Sequence, residues 1–153
     1  MFVSNKQSGC LEIPNREIQR ITFEKGSQIT ELRPESCYSL NRLREIEIPA
    51  SVETISGSCF GCSLARAVFE KGSHLKSIGE GAFRETSLTE IEIPASVESI
   101  GSKAFPERIS YIKWAPDSVI KTFSCLRILL ARLETCATKS CVNCHELEND
   151  RIL

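Results

Sequence analysis

The chain has 153 residues, with 19 basic and 20 acidic side chains and a formal net charge of −1. That length supports one domain with a real core, and the balanced charge leaves no polybasic footprint for nucleic acid or an anionic membrane, and no acidic tail. The opening MFVSNKQSGCLEIPNREIQR lacks the basic start and apolar run of a leader, and no stretch approaches the roughly 20 apolar residues of a membrane span, so as it stands the sequence reads as cytoplasmic.

In chain order, residues 10–17 read as the remnant of a repeat unit. Units then start near Ile18, Leu43, Leu64, Leu88 and Ile109, at spacings of 25, 21, 24 and 21 residues. EIEIPASVETI at 45–55 returns as EIEIPASVESI at 90–100, offset by 45, and FEKGS at 23–27 returns at 69–73. Fixed-period self-similarity marks a solenoid, whose units bury their apolar sides only by stacking. Within each unit I-x-I alternates, as in a strand with one buried face. This places Ile21, Phe23, Ile46, Ile48, Ala67, Phe69, Ile91 and Ile93 in the core. Pro49 and Pro94 end the ladder because proline has no N–H to donate. The apolar spacing then widens to three (Val97, Ile100), a turn or short helical stretch. Gly79 and Gly101 are expected at a bend that needs unusual φ and ψ. Phe60, Phe83 and Phe105 are expected to stack in a column, which Tyr38 joins after a one-residue slip. Cys37 and Cys59 align with Ala82 and Ala104, so they read as small packing residues in a reducing compartment.

From Ser118 the pattern changes. Val119, Phe123, Leu126, Leu130 and Leu133 fall on one face of a helix, with Asp117 or Ser118 as N-cap. The expected organisation is a solenoid over 1–117, a capping helix over 118–134 and a polar tail over 135–153. The tail holds Cys136, Cys141, Cys144 and His145. C-x-x-C-H has the spacing of covalent haem attachment, and the four residues are zinc-type ligands. Attachment needs an export route that these residues do not show, and the ligands are crowded. The expectation is therefore no haem, no metal and no other cofactor. No catalytic arrangement stands out: His74 reads as a surface residue, and neither a phosphate-cradling loop nor H-E-x-x-H is present.

The run IEIPASVESIGSKAF, with FEKGSHLKSIGEGAF between its copies, resembles the BspA-like leucine-rich repeat family over about residues 18–119. The resemblance implies a curved solenoid with a binding or adhesion role and no catalysis. Its members are often described as cell-surface proteins, a location open to this chain only within a longer parent. The expected fold class is α/β, mostly β and turn: a leucine-rich-repeat solenoid with a single parallel β-sheet, closed by the C-terminal helix.

Residues between the buried ones should face water in two rows. One is Arg20, Glu45, Arg66, Glu90, Tyr111; the next is Thr22, Glu47, Val68, Glu92, Lys113. Opposite charges on neighbouring strands stabilise a sheet by about 0.2–1 kcal/mol per pair, and the same strip can bind a partner. The expected contact set is Arg20, Glu45, Glu47, Arg66, Val68, Glu90, Glu92, Tyr111 and Lys113, in a monomeric, non-enzymatic module that binds a protein. The rivals are a structural fragment or degenerate copy with no partner of its own, and a small metal-binding protein built on the tail.

Overall fold

A computed structural model describes Phe2–Val3 and residues 17–123. They form strands β1 (Phe2–Val3), β2 (Arg20–Phe23), β3 (Glu31–Leu32), β4 (Glu45–Ile48), β5 (Thr54–Ile55), β6 (Arg66–Phe69), β7 (Ser77–Ile78), β8 (Glu90–Ile93), β9 (Ser99–Ile100), β10 (Tyr111–Trp114) and β11 (Thr122–Phe123). Every pairing is parallel. The chain winds through about four turns from β2 to β10, and the unit-starting residues Ile18, Leu43, Leu64, Leu88 and Ile109 are all buried.

Two features differ from the single sheet expected. Each coil contributes two strands, because coils of similar length stack their backbones again after the turn. A β-turn closed by Val52 N–H to the Pro49 carbonyl (3.1 Å), or Val97 N–H to that of Pro94 (3.2 Å), redirects the chain. The apolar residue three further on then enters a second, two-residue strand. These short strands make a continuous five-stranded sheet, β11-β9-β7-β5-β3. The long strands form two sheets instead, β1-β2-β4-β6 and β10-β8.

The prolines weaken the two longer steps, and the break falls at the second of them. The 21-residue steps, β4 to β6 and β8 to β10, carry full four-residue ladders. There Glu70 N–H donates to the Ile48 carbonyl (2.9 Å), and Ala115 N–H to that of Ile93 (3.1 Å). At the longer steps the equivalent donors would be Pro49 and Pro94, which have no N–H. Accordingly β2 and β4 keep only the Arg20–Glu45 and Ile21–Ile46 rungs, and β6 and β8 share no ladder. Phe23 and Phe69 end the strands that lack this rung. They are half-buried against the core rather than enclosed as expected, while Ile21, Ile46, Ile48, Ala67, Ile91 and Ile93 are buried.

The aromatic column is present. Phe60 and Phe83 stack at 4.8 Å between ring centroids, and Phe83 and Phe105 at 6.1 Å. Its first member is Cys37, not Tyr38. Cys37 pairs with Phe60 across the coils and donates its N–H to the Cys59 carbonyl at 3.0 Å, as Phe60 does to Ala82. Tyr38 is exposed. Cys59 thus matches Ala82 and Ala104, but the residue matching them in the first coil is Ser36, whose hydroxyl lies 3.5 Å from the Cys59 sulfur.

Gly79 and Gly101 are glycines for a reason other than their dihedrals. Neither has a left-handed φ, but a Cβ on Gly79 would lie 2.7 Å from Gly57 N, and one on Gly101 2.5 Å from Glu80 N. The coils approach too closely there for a side chain. The left-handed position comes later in each coil and is held by Glu35, Ser58, Gly81 and Lys103 in turn. At the C-terminal end, Thr122 and Phe123 pair with Ser99 and Ile100, and Val119 is exposed. The solenoid therefore continues through 118–123 where a helix was expected. The rest of the expected cap, 124–134, and the tail 135–153 lie outside the described residues.

Candidate partner-binding face

Alternation along the long strands turns the nine predicted contact residues away from the core. Arg20, Glu47, Arg66, Glu90, Glu92, Tyr111 and Lys113 are exposed, and Glu45 and Val68 are half-buried. Where the ladder is intact, the charges pair as cross-strand neighbours should. The Glu45 carboxylate sits between Arg20 (2.5 Å) and Arg66 (3.7 Å), and Lys113 donates to Glu92 at 3.0 Å. Across the break, Arg66 and Glu90 make no ion pair with each other.

That break opens a cleft of about 740 Å³ between β6 and β8. It is lined by Arg66, Val68, Glu90, Glu92, Tyr111 and Lys113 from the predicted set. The structure thus gathers six of the nine residues at one site and leaves Arg20, Glu45 and Glu47 beside it. Strand alternation alone does not reveal such further wall residues as Glu70, Gly72, Ser73, Thr89 and Ser96. Pro94 and the 24-residue step mark this joint as a weak one, as Pro49 and the 25-residue step do for β2–β4, and do not by themselves distinguish the joint that opens.

The short-strand sheet carries a second charged row. Lys76 donates to Glu53 at 2.7 Å and Lys121 to Glu98 at 2.8 Å. Those hydrogen bonds, reinforced by the lysine charges, hold the Glu53 and Glu98 carboxyls below the usual range and raise Lys76. Here the outer charges are matched within the row, which leaves the long-strand face with the open cleft.

A family model for the BspA type leucine rich repeat region, in six copies, matches residues 13–118. The chain belongs to this family. Among solved structures, the crystal structure of the pneumococcal vaccine antigen PcpA is similar at a TM-score of 0.49 and 30% identity, over 67% of this chain and 27% of that one. The chain thus spans about a quarter of that structure's length. No curated protein matches it. Among the described residues of this BspA-type repeat, no helix is long and apolar enough to cross a membrane. No group of three or more His, Cys, Asp or Glu side chains among them is placed to hold a metal ion. The cysteine-rich tail lies outside those residues.

Proposed function

We propose that this BspA-type repeat is a non-enzymatic module that binds another protein through the outward face of its long strands. The contact centres on Arg66, Val68, Tyr111 and Lys113. Glu45, Glu47, Glu90 and Glu92 form the rim, with Arg20 at one end. The observation that carries this reading is the cleft between β6 and β8, which combines an exposed tyrosine, an arginine and apolar wall atoms. Arg and Tyr are among the residue types that most often carry interface energy, while rim carboxylates set register and on-rate. Adhesion is the special case in which the module is displayed by a longer parent.

A second reading, a structural repeat without a partner, draws support from the Arg20–Glu45–Arg66 ion pairs, which satisfy that end of the row internally. A pull-down with the full chain separates the two. Changing Arg66→Ala together with Tyr111→Ala should leave Tm nearly unchanged and weaken binding to the recovered partner. Binding that survives this change but fails when Lys76 and Arg84 are altered would place the contact on the other side. A pull-down that recovers nothing favours the structural reading.

A further inference from the structure

We propose that the cleft between β6 and β8 receives an arginine side chain of the partner protein, held by the Glu90 carboxylate and the Tyr111 ring. The inference rests on the strand-face reading above and specifies what that face recognises.

The residual charge of the cleft carries the argument. Arg66 leans toward β4, with its guanidinium 3.7 Å from Glu45, and Lys113 is engaged by Glu92 at 3.0 Å. Among the described residues, Glu90 has no cationic partner. On an intact ladder the equivalent Glu45 is clamped by arginines on both sides. Glu90 loses one such neighbour to the break and finds Tyr111 in place of the other. Glu70, also in the wall, accepts the Ala50 N–H at 2.9 Å and has no ion pair among the described residues. Over the charged lining, Arg66 and Lys113 against Glu70, Glu90 and Glu92, the site keeps a net charge of −1, and its complement is a cation.

The neighbouring groups favour arginine. The parallel register sets Tyr111 directly beside Glu90, and the tyrosine is 46% exposed. A guanidinium can stack on an aromatic face while its N–H fork meets a carboxylate, a geometry an ammonium cannot reproduce. Val68 offers apolar surface along the cleft for the methylene stem.

The test is a titration of the full chain with N-acetyl-arginine-methylamide, followed by amide chemical shifts. The citrulline and lysine analogues serve as probes of charge and of shape. Weak, saturable binding is expected, with shifts concentrated on β6, β8 and β10. The lysine analogue should bind less tightly and the citrulline analogue should not bind. Glu90→Gln should weaken the arginine probe by about tenfold or more, as loss of a charge-assisted hydrogen bond requires. Tyr111→Leu should weaken it and abolish the preference over lysine. Glu107→Gln, an exposed carboxylate elsewhere, should change nothing. Equal binding of citrulline, shifts centred elsewhere, or indifference to Glu90→Gln would overturn the inference. A recovered partner lost on the Arg66→Ala and Tyr111→Ala change, yet unaffected by Glu90→Gln, would overturn it while leaving the strand-face reading intact.

Discussion

Gly81 and Gly101 are glycines for different reasons, and substituting alanine at each tests the account of how the coils stack. Gly81 has φ +64°, and an added Cβ would meet nothing closer than 3.8 Å. The cost of Gly81→Ala is then only that of a left-handed backbone, about 1–2 kcal/mol, less about 0.4–1 kcal/mol returned by stiffening the unfolded chain. The net loss is about 1 kcal/mol. At Gly101 the Cβ would lie 2.5 Å from Glu80 N and 2.8 Å from Gly79 C. These are backbone atoms, held by the Gly101 N–H to Ile78 carbonyl bond at 2.8 Å. Relief requires the coils to part beside the β7–β9 rungs. Overpacking of this kind costs about 1–3 kcal/mol, and a weakened backbone bond adds about 0.5–1.5 kcal/mol, so Gly101→Ala should lose about 3 kcal/mol. Ser58→Gly removes the left-handed cost at the position equivalent to Gly81 and should stabilise by a few tenths to about 1 kcal/mol. Urea denaturation, with the slope checked for constancy, measures all three. Equal losses at Gly81 and Gly101, or a destabilising Ser58→Gly, would refute the reasoning.

Ile91→Ala should cost about 2–5 kcal/mol in the same assay, whereas Glu92→Ala, on the outward side of the same strand, should stay within about 0.5 kcal/mol. The neighbouring Cys59 thiol and burial away from water push the Cys37 thiol well above the usual range. Its contribution is complete below the unfolded thiol pKa and fades as pH rises past it; because Cys59 is lowered chiefly by Cys37 and raised by burial, Cys37→Ala together with Cys59→Ala is the change that should flatten the alkaline limb of a stability–pH profile. In the folded protein Cys37 should resist a thiol reagent that labels it on unfolding. The lowered Glu53 and Glu98 carboxyls act in the opposite direction. Their contribution is present above the unfolded carboxylate pKa and lost as pH falls through the folded value. Since both pairs are exposed, about 0.5 M salt should remove most of the acid-limb difference between the wild type and Lys76→Met.

The coil period, the buried aliphatic set and the Phe60–Phe83–Phe105 column are legible in the sequence because each repeats at a fixed spacing with an unmistakable side chain. The short-strand sheet is not, since two residues are too few to show an alternation. The aromatic character of Tyr38 masks the place of Cys37 in that column; counting five residues from Leu32, as from Ile55, Ile78 and Ile100, reaches Cys37. The outward rows could be read from alternation. The cleft could not, since it depends on which neighbouring strand each proline faces, and that is decided only when the coils stack.

The alternation of well-joined and poorly joined steps has a consequence for how such a chain changes length. A coil headed by Pro49 or Pro94 is joined fully to the coil after it and weakly to the coil before it. Excision of one non-proline coil would set two proline-headed coils side by side and repeat the missing rung at consecutive joints. Excision or duplication of an adjacent two restores the original sequence of joints. The doublet is then the unit whose gain or loss keeps the joints in order, and it is the length by which the copies at 45–55 and 90–100 are offset, 45 residues.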